Sequence, residues 1–194
     1  MRFRRVFYVG RFQPPHEGHI KSVLLGLELG DEVVIGVRDT RLSASDPLTA
    51  EERVWIWRRV LGELGVTRFD VKVVPDFNKN DVIWDDKVVI RGHPLLDWAR
   101  TVEKILSVSP RDSAFLGNKP PMVIAFNLLG YIVIPGHRSV SKLVDVSATE
   151  LRRMVMSGDE RWRSLLPKPV VDALDEVGFE ERLRSLGEEG KESR

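Results

Sequence analysis

Residues 5–19 read RVFYVGRFQPPHEGH, an apolar run that passes directly into a loop of glycine, proline and histidine. The run RVFYV is short and rich in β-branched and aromatic residues, which predicts a buried strand. The chain beyond the loop has apolar residues at helical spacing, at Ile20, Val23, Leu24 and Leu27. A strand that leads through a polar loop into a helix is typical of the first unit of a parallel α/β sheet.

The remaining sequence alternates between strand and helix patterns. Strands are predicted at residues 32–37, 69–74, 113–116 and 131–134, with a hairpin strand at residues 87–90. Helices are predicted at residues 18–29, 50–64, 95–106, 121–128, 148–157, 169–177 and 180–186. Two capping boxes, beginning at Thr49 and Ser147, mark the starts of two of these helices. This order predicts an α/β fold with a Rossmann-like, doubly wound parallel sheet that binds ligands where its strands end.

The composition excludes several classes of protein. The chain has 194 residues, of which 42% are hydrophobic and 30% charged, and its net charge is +1. We expect one domain over residues 1–186 and a polar, frayed tail at residues 187–194. The near-neutral charge disfavours a nucleic-acid partner and no apolar run is long enough for a membrane span, so we expect a cytoplasmic protein. The absence of cysteine excludes disulfides, thiolate metal sites and cysteine nucleophiles.

The loop after the first strand has the residues of a phosphate-binding site. Gly10 allows the backbone to approach a ligand closely, and the helix N-terminus that follows favours an anion. His16 and His19 are three residues apart, so both imidazoles can face one cleft and donate hydrogen bonds to phosphate oxygens. Arg11 adds a fixed positive charge. A zinc-binding pair of histidines is the alternative, but no third ligand lies near in the sequence.

A second phosphate-binding segment lies at residues 147–152, which read SATELR. Its capping box leaves free N–H groups at a helix start, beside the hydroxyls of Ser147 and Thr149. Arg152 lies one turn further along and can reach the same anion with its planar guanidinium group. Together with the first loop, this segment predicts a two-sided clamp for a polyphosphate.

Five motifs follow one another along the chain. They are GRFQPPHEGH at residues 10–19, DPLTAEER at 46–53, GNKP at 117–120, VSATELRR at 146–153 and DERWRSLLPKPVV at 159–171. In this order they resemble the motifs of archaeal-type nicotinamide-nucleotide adenylyltransferases, which belong to the nucleotidylyltransferase superfamily with an HxGH motif. The inserted Lys119 and Pro15, which replaces an aromatic residue, are departures from the family pattern. The resemblance covers nearly the whole chain and implies a fold of the nucleotidylyltransferase type.

The resemblance implies a reaction in which ATP and nicotinamide mononucleotide give NAD and pyrophosphate. A phosphate oxygen of the mononucleotide attacks the α-phosphorus of ATP in line, with Mg²⁺ carried by the ATP phosphates rather than by a protein metal site. The implied catalytic residues are Arg11, His16, His19 and Arg152. The implied ATP-binding residues are Gly10, Phe12, Gln13, Gly18, Gly117, Asn118, Ser147 and Thr149. The family also leads us to expect a homo-oligomer.

Two tryptophans are candidates for stacking on the nicotinamide ring, which is cationic and favours an aromatic partner. Trp84 follows a polar loop and matches the local family pattern, whereas Trp98 opens a predicted helix and matches the helical context. Core packing is the alternative role for whichever tryptophan does not bind the ring.

The other predicted acceptor-binding residues are Asp46 and Arg41. Ser45 stands where the family often has an arginine, and either Arg38 or Arg41 can supply that charge from the same loop. The segment at residues 76–94 is longer than the family's loop, and we expect it to shape the acceptor pocket.

Two other functions stay open at this stage. A sister nucleotidylyltransferase would carry out the same chemistry on phosphopantetheine, flavin mononucleotide or a sugar or polyol phosphate, which the altered acceptor segment would allow. A non-enzymatic nucleotide-binding regulator would keep the fold without the reaction. The presence of both loop histidines and Arg152 favours an enzyme.

Overall fold

A parallel sheet lies at the centre of the fold. A computed structural model describes residues 2–77, 94–136 and 146–192, and within them five strands pair in the order β3-β2-β1-β4-β5. The strands are β1 (Phe3–Gly10), β2 (Gly30–Asp39), β3 (Phe69–Pro75), β4 (Ser113–Leu116) and β5 (Ile132–Ile134). Every pair is parallel, as the alternation of strand and helix patterns predicts. The predicted doubly wound α/β class is therefore confirmed.

Helices cover both faces of this sheet. They are α1 (Glu17–Leu29), α2 (Ala50–Glu63), α3 (Pro94–Leu106), α4 (Pro120–Leu128), α5 (Ala148–Met156), α6 (Lys168–Glu176) and α7 (Phe179–Glu192), with a 3₁₀ helix at Glu160–Leu165. Buried residues of α1, α2 and the C-terminal helices form one apolar cluster, and those of α3 and α4 form the other. Neighbouring strand residues alternate between them, with Val6 in the first cluster and Phe7 in the second.

The order of the strands reverses at β1, which lies between β2 and β4. The chain winds outward through β2 and β3 and then crosses back to β4 and β5. In such sheets a crevice opens at the carboxyl ends of the two central strands, where the connections leave in opposite directions. Gly10 ends β1 and Gly117 follows β4, so both predicted ligand-binding loops start at this crevice.

The C-terminal helix α7 extends beyond its predicted end at residue 186. Residues 187–192 continue α7 as helix, whereas the expectation of a frayed tail from residue 187 stays a prediction. The Met156 side chain at the end of α5 lies against Gly187, where an added side chain would collide with it. The predicted hairpin strand at residues 87–90 lies outside the described residues. No helix in the part of the chain that the structure describes is long and apolar enough to cross a membrane.

The capping box at the start of α2 is present and links to the C-terminal helix. The Glu52 N–H donates to Thr49 Oγ1 at 3.2 Å, and the Thr49 N–H donates to Glu52 Oε2 at 2.9 Å. Arg182 of α7 donates to the same carboxylate. Burial acts to raise the pKa of Glu52, but the hydrogen bonds from Arg182 and Thr49 outweigh it, so the pKa lies below its ordinary value.

We expect Glu52→Gln to lower the melting temperature at pH 7 by about 2–4 °C, the size expected for loss of about 1 kcal/mol at a helix cap. A depressed carboxyl pKa contributes stability above the ordinary pKa, and this contribution is lost as the pH falls through the folded-state pKa. The deficit relative to the wild type should therefore shrink in acid, as thermal unfolding followed by circular dichroism would measure. Glu63→Gln at the exposed end of the same helix is the control, and a deficit that is constant from pH 7 to pH 3 would contradict the assignment.

Candidate functional site

A cleft of about 390 Å³ opens at the carboxyl ends of β1 and β4. The loop after β1, the loop after β4 and the first turn of α5 form its walls. Every residue that the sequence assigned to catalysis or to ATP binding lines this cleft, namely Gly10, Arg11, Phe12, Gln13, His16, Gly18, His19, Gly117, Asn118, Ser147, Thr149 and Arg152. The structure thus brings together segments that are more than a hundred residues apart, and their individual roles stay predictions.

The two histidines lie side by side at the start of α1. Their rings stack with centroids 3.6 Å apart and an interplanar angle of 27°. The backbone N–H of His16, the N-cap residue, donates to His19 Nδ1 at 3.2 Å. Because a backbone N–H can only donate, Nδ1 of His19 accepts, and the proton of the neutral ring is therefore on Nε2. His19 is fixed in the tautomer that can donate a hydrogen bond from Nε2.

Aromatic packing behind the histidines fixes their position. The Phe12 ring meets His19 edge-on at 5.0 Å and Trp57 edge-on at 5.2 Å. Phe12 has a φ of 52° and is 3% exposed, so its side chain supports His19 from the core rather than offering a face to a nucleotide. Gly10 makes room for it, because a Cβ there would lie 2.7 Å from the Phe12 ring.

Arg11 is held by a carboxylate from the segment before α2. Its Nη1 donates to Asp46 Oδ2 at 3.1 Å, and Ser45 Oγ donates to the same oxygen at 2.7 Å. Asp46 is 6% exposed and does not line the cleft, so the structure does not support the predicted contact with the acceptor. Its role in this geometry is to orient Arg11.

Arg152 reaches across the cleft from α5 to the loop after β1. Its Nη1 donates to the Gln13 carbonyl at 2.5 Å, and its Nη2 lies 3.4 Å from Thr149 Oγ1. Burial lowers the pKa of Arg152, and the positive charge of Arg11 lowers it further. Two guanidinium groups therefore face the same small volume, which favours a multivalent anion between them.

The start of α5 has the Ser147 half of the predicted capping box. Ser147 Oγ accepts a hydrogen bond from the Glu150 N–H at 3.1 Å, which leaves the hydroxyl hydrogen of Ser147 able to donate. The first N–H groups of this helix and the Thr149 hydroxyl lie on the wall of the cleft. This wall can therefore donate several hydrogen bonds to phosphate oxygens.

The Gln13 side chain ties two loops together. Its Nε2 donates to the Leu48 carbonyl at 2.8 Å, and its Oε1 accepts from the Leu48 N–H at 2.9 Å. Gln13 is 3% exposed and its side chain is engaged by Leu48, and its contact with ATP stays a prediction. Its carbonyl already accepts from Arg152, and this contact fixes the position of the arginine.

The loop after β4 forms the opposite wall. A Cβ at Gly117 would lie 2.7 Å from the Phe115 ring, so the glycine lets the chain pass close to the core. Asn118 Oδ1 accepts from the Gly136 N–H at 2.5 Å and joins this loop to the chain after β5. Lys119 is exposed and lines the cleft. Lys119 is an insertion relative to the family motif, and the sequence alone assigns it no role.

The structure gives less support to the predicted acceptor-binding residues. Trp84 lies outside the described residues. Trp98 is 7% exposed, packs edge-on against Phe77 at 4.9 Å and donates from Nε1 to the Pro75 carbonyl at 2.7 Å. This burial and these contacts favour the alternative role of core packing for Trp98, and its contact with the acceptor stays untested. Arg41 is exposed and does not line the cleft.

Of Arg38 and Arg41, it is Arg38 that lines the cleft. It is buried at the end of β2, where Nε donates to Asp76 Oδ1 at 2.6 Å and the guanidinium group lies 4.1 Å from the centre of the Phe77 ring. Burial lowers the pKa of Arg38, and the negative charge of Asp76 acts against this effect. Of the two arginines that the sequence left open, Arg38 has the position to supply positive charge to the cleft.

The fold and the cleft define a class of nucleotide-transferring proteins, and comparison with known proteins supports this. A family model described as cytidylyltransferase-like matches residues 7–154. A nicotinamide-nucleotide adenylyltransferase of Pyrobaculum aerophilum is 32% identical over 95% of this chain and 96% of its own. One of Pyrococcus horikoshii is 34% identical over 94% of this chain and 88% of its own. The chain therefore belongs to the cytidylyltransferase-like family and, within it, to the nicotinamide-nucleotide adenylyltransferases.

A solved structure has the same fold. It is a bifunctional NMN adenylyltransferase/ADP ribose pyrophosphatase from Francisella tularensis, in complex with AMP and a Mn ion. The TM-score is 0.67 at 16% identity, and the match covers 94% of this chain and 52% of that one. This chain therefore spans about half the length of that protein, and the similarity concerns the fold.

We expect Arg152→Met to weaken the binding of inorganic tripolyphosphate by about tenfold or more, as for loss of one hydrogen bond between charged groups. Isothermal titration at two salt concentrations measures this, since an electrostatic contact weakens with ionic strength. Arg153→Met is the matched control, because Arg153 is the next residue of α5 and is exposed. Equal affinities of the two variants would contradict the proposed clamp.

Proposed function

We propose that the cleft transfers an adenylyl group from ATP to nicotinamide mononucleotide, giving NAD and pyrophosphate. The observation that carries this proposal is the pair of guanidinium groups, Arg11 and Arg152, that face each other beside the N-termini of α1 and α5. Such an arrangement suits a polyphosphate. The membership of the chain among the nicotinamide-nucleotide adenylyltransferases supports nicotinamide mononucleotide over the other acceptors that the sequence left open.

The reaction needs positioning rather than covalent catalysis. A phosphate oxygen of the mononucleotide forms a bond to the α-phosphorus of ATP while the bond from that phosphorus to the bridging oxygen breaks. The electron pair of the broken bond leaves with pyrophosphate. Negative charge therefore builds up on the leaving group, and cationic groups held beside it lower the barrier.

The cleft residues divide this work by position. His19 donates from Nε2 to a phosphate oxygen of ATP, since its Nδ1 accepts from the His16 N–H. Arg152 and the first turn of α5 bind the pyrophosphate that leaves. Arg11 lines the cleft together with Arg38 and Arg152, and in this proposal it contacts both reacting phosphates.

Mg²⁺ enters with ATP in this proposal. In residues 2–77, 94–136 and 146–192, no three histidine, aspartate or glutamate side chains form a group that could hold a metal ion. The arginine and histidine donors and the hydroxyls of the cleft suit phosphate oxygens, so the residues present fit a metal that is held through the phosphates. When bound, the ion supplies positive charge to the phosphate oxygens and orients them.

The acceptor lies on the β2 side of the cleft in this proposal. Arg38 supplies positive charge to its phosphate, and Trp84 is the remaining candidate for stacking on the nicotinamide ring because Trp98 is buried. The cytoplasmic location and the homo-oligomer stay predictions that rest on the composition and on the family.

The test is a pyrophosphate-release assay with ATP, Mg²⁺ and a panel of acceptors that includes nicotinamide mononucleotide, flavin mononucleotide and phosphopantetheine. We expect turnover with nicotinamide mononucleotide, its loss on chelation of the metal, and a decrease in kcat of about 10²-fold in His19→Ala, as for removal of one donor to a developing oxyanion. Lys21→Ala on the same helix, outside the cleft, is the control. Turnover only with another acceptor would establish the sister reaction, and ATP binding without turnover would favour a regulator.

A further inference from the structure

Arg53 is a cation in an unusual place, at the base of the cleft but without contact with it. It lies in α2, its exposure is 0%, and all the hydrogen bonds described for it go to oxygens of the protein interior. We propose that Arg53 is a positioning residue that holds Arg11 and Arg38 at the distance the reaction requires, a role that rests on the proposed function.

The guanidinium group of Arg53 joins three separate segments of chain. Its Nη1 donates to the Arg11 carbonyl at 2.5 Å and to the Arg38 carbonyl at 2.8 Å. Its Nε donates to the Thr49 carbonyl at 3.0 Å, and its Nη2 donates to Thr40 Oγ1 at 3.2 Å. One planar group therefore fixes the loop after β1, the end of β2 and the N-cap of α2 relative to one another.

The position of these carbonyls explains why such a link is needed. The pairing of β1 with β2 ends at Gly10 and Val37, so the next residues on each strand are Arg11 and Arg38. The described ladder does not join these two residues, and Nη1 of Arg53 bridges their carbonyls instead. Their side chains line the cleft, whereas their main chains are held from the opposite side.

The cost of this arrangement argues that it is more than a packing solution. None of the four hydrogen-bond acceptors is a carboxylate, and a buried cation without a paired carboxylate is expensive. Burial lowers the pKa of Arg53 to about 10, and the negative charges of Asp46 and Asp39 act against this at longer range. An apolar side chain would avoid this cost but could not bridge the two carbonyls.

The test is a double-mutant cycle on the full chain, with kcat and KM measured separately. We expect Arg53→Met to lower kcat about tenfold or more through misplacement of Arg11, since small displacements of reacting groups are costly. In an Arg11→Met background the same substitution should lower kcat by a clearly smaller factor than in the wild type, because one of the two groups that Arg53 positions is already absent. Arg53→Lys, which keeps a donor, should recover part of the wild-type kcat.

Controls separate positioning from stability. Val60→Ala, a buried substitution in the same helix, should lower the melting temperature without changing kcat at a temperature where both variants are folded. If Arg53→Met does not fold, Arg53→Lys replaces it in the cycle. Effects of Arg11 and Arg53 substitutions that multiply in full, or an Arg53 variant that loses stability but keeps kcat, would overturn the proposal.

The experiment distinguishes a failure of the Arg53 proposal from a failure of the proposed function. If the wild-type protein does not turn over nicotinamide mononucleotide, the reaction is wrong, and the cycle is then measured on the affinity for inorganic tripolyphosphate. A loss of affinity in Arg53→Met that disappears in the Arg11→Met background supports positioning of Arg11. Equal losses in both backgrounds overturn it.

Discussion

The proposed site depends on two guanidinium groups, those of Arg11 and Arg152, that line the same cleft. The fold restrains each of them, Arg11 through Asp46 and Arg152 through the Gln13 carbonyl. The pKa of Arg152 is lowered by burial and by the charge of Arg11. An anion with several negative charges offsets the two like charges of Arg11 and Arg152. Its binding energy is then available to position a phosphate for transfer.

The fold makes this arrangement possible because it brings two distant parts of the chain, the loop after β1 and the start of α5, to the point where the strand order reverses. The loop after β1 leads into α1, and α5 begins more than a hundred residues later, yet the N-termini of α1 and α5 face the same cleft. Glycines at positions 10 and 117 let the backbone pass close to the rings of Phe12 and Phe115. The C-terminal helix contributes through Arg182, which supports the start of α2 next to the segment that holds Arg11.

Local sequence predicted the sheet and the walls of the cleft because their signals are local. Short apolar runs rich in β-branched and aromatic residues predict strands, capping boxes predict helix starts, and both phosphate-binding segments follow or precede such elements directly. The contacts that the sequence did not reveal join residues that lie far apart in the chain. Asp46 pairs with Arg11, Gln13 pairs with Leu48 and Trp98 packs against Phe77, and no spacing rule reveals which neighbour a loop side chain meets. Arg53 belongs to the motif DPLTAEER at residues 46–53, but only its partners in the folded structure indicate what it does.

In the proposed mechanism the protein positions two phosphates for direct transfer without an enzyme-bound intermediate. His19 supports this, because its Nδ1 lone pair accepts from a backbone N–H and its Nε2 holds the proton of the neutral ring. The most direct measurement uses ATP in which sulfur replaces one non-bridging oxygen of the α-phosphate, so that the α-phosphorus has a single known configuration. The configuration at the same phosphorus is then determined in the dinucleotide product. One in-line displacement predicts inversion at phosphorus. Retention would require two displacements through a covalent intermediate and would contradict the account.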